Sequence, residues 1–597
     1  MQARWLAPVA IAAIVVVPAV LPTFYVTLFG YVGLGTLVAL GLVLLTGISG
    51  QTSFGQASFV GLAAYATTLL TKFSGMPPIV GLIAGLALTG AVAWLLGLVT
   101  ARLSGHFLAL VSIAWGISFF SLFGTLPMLH GFNGIGDIPP LSIFGLSIAS
   151  RRINLGIIWA VVAALMGMSA CLLDSRIGRA IRTLNGARLM GESVGIDTVR
   201  LSRAVFVLAA LYAGAAGFLF AHFQRFINPT PFGLTASIDY LFMVIIGGAE
   251  LLWGAPLGAA LVVVLRDQFN DWIPRITGRA GDFEALVFSL VVILLLQRAP
   301  QGLLPLALRL GRRSFPSWSA KADHPRLSCG GEEESRGSSA FAEDDGAELL
   351  AVEGVSHYFG GLAANKDVSF AVHAREIVAL IGPNGAGKTT LFSVVSGVLK
   401  PTAGQVRLFG AAGGNLPPRR VAALGLARTF QHVKLLATRS VLENVALGAH
   451  LSGRAGIVRA MLRLDRAEEA RLLAEARAQA IRTGLGDVLD MPAGDLPLGR
   501  QRIVEIARAL CLRPRLLLLD EPAAGLRLAE KQHLATLLRQ LRAEGMGVLL
   551  VEHDMDFVMQ LADRVVVMDF GQKIAEGPPA YVQADPIVLE AYLGGVA

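Results

Sequence analysis

The run GPNGAGKT, Gly382 to Thr389, has residue types and spacing suited to gripping a phosphate chain. Gly385 and Gly387 let backbone N–H groups curl round phosphate oxygens, and the following helix adds the positive end of its dipole. Lys388 is long enough to reach the β- and γ-phosphates, and the Thr389 hydroxyl can ligate Mg²⁺. The whole stretch of Gly382, Pro383, Asn384, Gly385, Ala386, Gly387, Lys388, Thr389 and Thr390 is the expected nucleotide-binding set. Further on, RLLLLDEP (Arg515 to Pro522) is an apolar strand that ends in two acids. Asp520 is placed to hold Mg²⁺ directly or through water, and Glu521 to orient or deprotonate an attacking water. A third apolar strand, GVLLVEH (Gly547 to His553), ends in a histidine that could reach a γ-phosphate. Alone, a strand-end histidine is more often structural; beside the other two motifs it reads as catalytic.

These side chains need a frame. IVALI before the glycine-rich turn and an amphipathic run after it read as strand, loop and helix, and buried strands ending in polar residues call for a parallel sheet. An α/β P-loop domain is expected over 348–597. The rest of the chain is of another kind. Of 597 residues, 54% are hydrophobic and mean hydropathy is +0.63, too apolar for one soluble globule. The apolar runs lie between residues 5 and 298, so the average conceals two classes of domain.

On a ruler of about 20 residues per crossing, candidate spans fall near 5–22, 26–48, 55–73, 78–101, 106–126, 153–174, 203–223, 236–249, 254–267 and 283–298. The expected fold class is therefore a polytopic α-helical membrane domain of about ten spans over 1–312, followed by the ATPase-like domain. Runs 236–249 and 254–267 are short enough to be re-entrant, and the first run has a cleaved signal peptide as its alternative. Asp174 to Arg203 carries six arginines between two spans and should face the cytoplasm. Span parity then puts both the N-terminus and the second domain on that side. Gly47, Gly50 and Gly55 with Gln51 and Gln56 interrupt an apolar pattern, either for close packing or to line a pathway. Gly81 with Gly85, and Gly214 with Gly217, suit close helix approach. Asp239 is the acid that stands out in the apolar regions, with a solvated or amide-capping place at a helix mouth as its plainer explanation.

Between the halves, residues 313–347 are acidic and rich in Gly and Ser, and are expected to form a flexible tether, a helical spacer being the alternative. The net charge is +8, but the arginines of the apolar half cluster at the ends of its runs, so no nucleic-acid partner is expected; the lipid bilayer is. Cys171, Cys329 and Cys511 are scattered, with no spacing for a metal or a disulfide.

The second half resembles the ATPase subunit of ATP-binding-cassette transporters over about 349–597. The resemblance implies ATP and Mg²⁺ as cofactors, with Thr389, Gln431 and Asp520 as metal ligands. It implies that Gln431 in ARTFQHVKLL senses Mg²⁺ and the membrane domain, and that Phe359 in HYFGG stacks on adenine, with Tyr358 as the other candidate. It makes LPLGRQR (Leu496 to Arg502) the signature loop, with Gly499 facing a partner's phosphate, and Glu521 and His553 the catalytic base and the switch histidine. More narrowly, LLATRSVLENVALGAHL and the ending VVVMDFGQKIAEGPPAYVQADPIVLEAYLG are similar to an ATPase of branched-chain (hydrophobic) amino-acid importers. TGISGQTSFGQASFVGLAAYATTLL, GRAIRTLNGARLMGESVGID and IIGGAELLWGAPLGAALV resemble the matching permease, over about 25–300.

The family implies a site shared between two ATPases, hence a second ATPase, a second permease and an extracytoplasmic substrate-binding protein, in a bacterial inner membrane. The segment around 176–200 is then the coupling element, docking near Gln431. Departures are Leu498 and Arg500 in the signature loop, Arg527 where Asn or Asp is usual, Leu528 where Pro is frequent, and TLNGA in the Arg-rich loop, which leaves Glu192 as its nearby acid. Rival expectations are an exporter, a membrane-anchored ATPase without transport, and urea, amides or aromatic acids as cargo.

Overall fold

The computed structural model describes residues 21–100, 106–143, 146–277, 283–312, 346–413 and 415–593. The apolar run at 5–22 and the tether at 313–347, each except its last two residues, lie outside the described residues. The chain divides into two compact units, within Met1–Asp174 plus Val199–Arg326 and within Ser175–Thr198 plus Leu327–Ala597.

The first unit is helical. Its helices are α1 (Thr23–Leu42), α2 (Gln56–Thr68), α3 (Pro78–Thr100), α4 (His106–Thr125) and α5 (Arg151–Leu173). After α6 (Arg176–Thr183) and α7 (Arg188–Ser193), which belong to the second unit, come α8 (Thr198–Gln224), α9 (Leu234–Gly247), α10 (Gly254–Thr277), α11 (Phe283–Arg298) and α12 (Leu303–Arg312). A short antiparallel pair, β1 (Leu141–Ile143) and β2 (Leu146–Ile148), precedes α5. Every expected run within the described residues coincides with a helix. By length and apolar composition, however, five of the described helices suffice to cross a bilayer: Thr23–Ile48, Pro78–Thr100, Phe107–Thr125, Arg151–Leu173 and Thr198–Gln224. Beside these, Leu234–Gly247 and Phe288–Arg298 are shorter apolar helices, and the expected run at 5–22 lies almost wholly outside the described residues.

Small residues set how closely these helices approach. A Cβ on Gly217 would strike the Val60 carbonyl, and one on Gly85 would lie 3.2 Å from the Ala63 carbonyl. α2 is thus approached closely on two sides by helix backbones, so closely at Gly217 that only glycine fits. Gly47 likewise abuts the Ala249 carbonyl, which favours packing over a pathway at that position. The chain between the π-helical end of α1 at Ile48 and the start of α2 is not helical, and Gln51, Ser53 and Gln56 within and after it are buried. Asp239 on α9 is not simply solvated or capping: it is ion-paired with Arg266 of α10, a partner that sequence reading overlooked.

The second unit is α/β. β3 (Glu348–Phe359), β4 (Leu362–His373), β6 (Ala403–Leu408) and β7 (Ala411–Ala412) form an antiparallel sheet in the order β4-β3-β6-β7. β5 (Ile377–Ile381), β8 (Leu426–Arg428), β9 (Leu516–Asp520), β10 (Gly547–Val551), β11 (Arg564–Asp569) and β12 (Gln572–Gly577) form the second, in the order β12-β11-β5-β10-β9-β8. Only β12 runs antiparallel to its neighbour. Every residue of β5, β9 and β10 is buried, as expected of strands covered on both faces. Their C-terminal ends, where apolar sequence gives way to Gly382, Asp520 and Glu552, all open on the same edge, the edge at which α/β sheets bind ligands.

Candidate nucleotide-binding site

The loop after β5 turns through three left-handed glycines, Gly382, Gly385 and Gly387, with φ of 148°, 85° and 90°. At Gly387 a Cβ would collide with the Ala364 carbonyl and lie 2.6 Å from the Asn365 side-chain nitrogen, so no other residue fits the curl. α13 (Lys388–Val395) starts immediately after, aiming its N-terminus at the loop's concavity. Lys388 Nζ donates to the Gly382 and Pro383 carbonyls at 2.7 and 2.9 Å, closing the loop on itself. Burial lowers the pKa of this ammonium while the charge of Glu521 opposes the shift. Asn384, Gly385 and Thr389 are exposed, Thr390 half-buried and Ala386 buried against the chain.

Glu521 follows β9 with φ of 49°, a left-handed conformation that costs a non-glycine residue about 1–3 kcal/mol. Two contacts hold it there: its N–H donates to Val551 O at 2.9 Å, and Arg502 Nη1 donates to its carbonyl at 2.7 Å. The kink brings its carboxylate to the two polar side chains singled out elsewhere in the sequence. Gln431 Nε2 donates to Glu521 Oε1 at 3.0 Å, and His553 Nε2 stands 3.1 Å from the same oxygen. Beneath them Glu552, buried, accepts from Ala523 N–H at 2.6 Å and His553 N–H at 3.1 Å; burial raises its pKa.

Asp520 is buried, which raises its pKa, and the Arg428 guanidinium 3.5 Å away opposes the shift. Its carboxylate, the Thr389 hydroxyl and the Gln431 amide oxygen are all hard oxygen donors, the set that suits Mg²⁺ rather than a softer ion. On donor chemistry the residues fit the metal.

Other predicted residues lie apart from this cluster. Phe359 is exposed at the end of β3, its ring edge-on to His357 at 4.6 Å, and Tyr358 beside it is also exposed. Gly499 lies in the first turn of the helix Leu498–Leu510, and a Cβ there would lie 2.8 Å from the Glu530 carboxylate. Glu530 also accepts the Arg527 N–H at 2.8 Å, so the signature glycine and one of the unusual positions meet at one acid. Leu498 and Leu528 are exposed, and Arg500 pairs with Asp487 at 2.7 Å.

The segment Ser175–Thr198 packs within this same unit. Ser175 caps α6 by accepting from Gly178 N–H. Arg176 enters a pocket in which Nη1 donates to His450 O at 2.8 Å, Nη2 to Ala455 O at 2.7 Å, and its own N–H to Glu469 at 3.0 Å. Gly453 leaves room for this side chain: a Cβ there would lie 2.6 Å from Arg176 Cδ. Arg179 pairs with Glu469 of the helix Arg466–Arg482, and Asp197 pairs with Arg419 at 3.5 Å. Leu189 and Ser193 of α7 border a small cavity with Phe430 and Arg428, next to Gln431. Glu192, the acid left in the Arg-rich loop, accepts a 2.6 Å bond from Thr198 within the segment. Arg428, Arg502, Glu552, Glu468 and Glu469 escaped sequence reading because each belongs to an ordinary charged or apolar run; for Arg428 the one signal is an arginine closing the short apolar strand LGLAR.

Residues 24–296 match the model of the branched-chain amino acid transport system permease component. Residues 365–524 match that of ABC transporters, and 572–597 that of the branched-chain amino acid ATP-binding cassette transporter. The high-affinity branched-chain amino acid transport ATP-binding protein LivG of Salmonella typhimurium is 41% identical over 249 residues, 41% of this chain and 98% of that protein. BraF of Pseudomonas aeruginosa, described in the same words, is 39% identical over the same shares. A solved nucleotide-free ATP-binding cassette from an ABC transporter aligns with 32% identity and a TM-score of 0.38, covering 42% of this chain and all of that one. With a permease component ahead of it and an ATP-hydrolysing cassette behind, the chain belongs to the branched-chain amino acid ABC transporters, as a fusion of the two components.

Proposed function

We propose that this chain imports branched-chain or other hydrophobic amino acids across a bacterial inner membrane, driven by ATP, as one half of a larger transporter. The cargo is supported by the relatives named above, whose own names give it. The observation that carries the chemistry is the convergence of Gln431 and His553 on one oxygen of Glu521.

In this mechanism the amides of Gly385 and Gly387 and the Lys388 ammonium bind the phosphates of ATP, with Phe359 or Tyr358 against the adenine. Lys388 leaves the Gly382 and Pro383 carbonyls for the β- and γ-phosphates. Glu521, aimed by its kinked backbone and by two hydrogen bonds to Oε1, accepts a proton from the water that attacks the γ-phosphorus. His553 then turns a donor toward the phosphoryl oxygens as charge develops there. Thr389, Asp520 and Gln431 would hold Mg²⁺, which when bound neutralises charge on the phosphate oxygens. Gly499 serves the phosphate loop of a second ATPase, so one chain supplies two half-sites. The segment 175–198 carries the change of shape to the permease, and the tether at 313–347 keeps motor and permease at a mutual concentration of roughly millimolar.

The test is purification of the Glu521→Gln chain from its host in mild detergent with ATP, followed by mass spectrometry. A second permease, a second ATPase and a secreted binding protein are expected. Titration of that binding protein with leucine, isoleucine, valine, urea, amides and aromatic acids then names the cargo. Recovery of this chain alone, as a homodimer, contradicts the heteromeric importer and favours an exporter.

A further inference from the structure

Arg428 is a buried guanidinium with no place in the mechanism above. It ends β8, beside β9, in register with Leu518 and two residues short of Asp520. Its Nη1 donates to Ser396 Oγ at 2.6 Å, and its Cζ lies 5.1 Å from the Phe392 ring centre and 5.4 Å from that of Phe430. Against these firm contacts, Nη2 stands 3.5 Å from Asp520 Oδ2, at the outer limit of a hydrogen bond, and Nε has no hydrogen-bond partner. The cation is anchored by the rings and the serine, and merely leans on the carboxylate.

That asymmetry suits a countercharge that must leave the carboxylate open to a second cation. A buried carboxylate without a cation is costly, yet a tight bidentate arginine would compete with any metal for the same oxygens. A loosely placed one neutralises Asp520 while leaving its lone pairs open. Phe430 adds a second property, because the ring that stacks on Arg428 borders the same cavity as Leu189 and Ser193 of α7.

We propose that Arg428 is a positioning residue that stands in for the metal's charge on Asp520 until Mg²⁺–nucleotide arrives, and that Phe430 and Leu189 tie it to segment 175–198. This rests on the assignment of Asp520 as the Mg²⁺ carboxylate. A cation held by two rings and one serine stays beside Asp520, so it and the metal share that carboxylate in mutual opposition. Removing Arg428 therefore makes the site bind metal more readily and metal-free nucleotide less readily.

The experiment is a fluorescence titration of a non-hydrolysable ATP analogue on the full chain in detergent, in EDTA and then against rising Mg²⁺. Arg428→Gln is expected to weaken binding in EDTA by about tenfold and to lower the half-saturating Mg²⁺ concentration by a similar factor, the scale of one charge-assisted contact. Arg428→Lys restores binding in EDTA, and Phe430→Leu and Leu189→Ala shift the Mg²⁺ midpoint in the same direction by smaller factors. If Arg428→Gln does not fold, Arg428→Lys and Phe430→Leu decide the matter by the direction of that midpoint. Equal weakening with and without Mg²⁺ means that Arg428 is only structural, and overturns the proposal. An unmoved midpoint in both Phe430→Leu and Leu189→Ala overturns the tie to the segment. Asp520→Asn separates the premises: if it leaves Mg²⁺ dependence intact, the metal assignment itself fails. If it abolishes that dependence while Arg428→Gln moves nothing, the Arg428 proposal alone fails.

Discussion

The two units are held together by different physics. In the ATPase unit the critical geometry is made of directed polar contacts at one sheet edge: Lys388 on two carbonyls, and Gln431 and His553 on one oxygen of a strained Glu521. In the membrane unit the comparable places are bare approaches of backbone to backbone, Gly217 on Val60 and Gly258 on Met243. Polar chemistry demands particular side chains at particular spacings, so it leaves motifs. Packing without a hydrophobic driving force demands only smallness, so it leaves glycines whose partners are invisible until the helices are seen together.

Variants of each kind should fail in different ways. The largest effect is expected at Lys388: Lys388→Ala should reduce ATP hydrolysis at least ~100-fold, because no other described cation in the phosphate loop replaces it. Glu521→Gln should slow hydrolysis by about 10²–10⁴-fold while fluorescent-nucleotide affinity stays within about twofold, since the amide keeps the shape but not the basicity. On the membrane side, Gly217→Leu should destabilise by about 1–3 kcal/mol or more through overpacking against α2. Thermal unfolding followed by tryptophan fluorescence should show the loss in the permease unit, with nucleotide affinity unchanged. An equal loss of nucleotide binding would erase the distinction between the units.

Smaller effects fall at the segment 175–198. Arg176→Ala should cost about 1–3 kcal/mol of docking, from the loss of charge-assisted bonds to His450 O and Ala455 O, and hydrogen exchange of 175–198 should speed up accordingly. The mildest lever is pH. Burial, with Arg176 and Arg179 adding to it, pushes the His450 imidazole down to about 3. The neutral ring is therefore favoured in the folded unit, so its contribution is complete above about pH 6.5. It is lost as pH falls from there toward about 3, because the unfolded chain takes up the proton first. Hydrogen exchange of the segment across that range should show the loss in the native chain and less of it in His450→Gln.

What was legible follows from the same contrast. The phosphate loop, Asp520, Glu521 and His553 could be read because each closes an apolar strand or sits in a glycine-rich turn, whereas Gln431 came only from the family resemblance. The helices could be placed by their apolar runs, but not the number that cross, since short apolar runs such as α9 share the mean character of longer ones. The Asp239–Arg266 pair joins two helices whose register no sequence pattern shows. Nor could sequence show that Arg176 makes the contact, because that depends on Gly453 leaving space for the guanidinium's stem.

The most direct test is uptake of radiolabelled leucine, isoleucine and valine by the chain's own host, with the native chain replaced by Lys388→Ala and with the uptake of a deletion strain subtracted. Loss of all subtracted uptake, with the variant present in the membrane at native level, is the predicted result. Uptake that persists through Lys388→Ala would contradict an ATP-driven importer and leave the cassette a role other than transport.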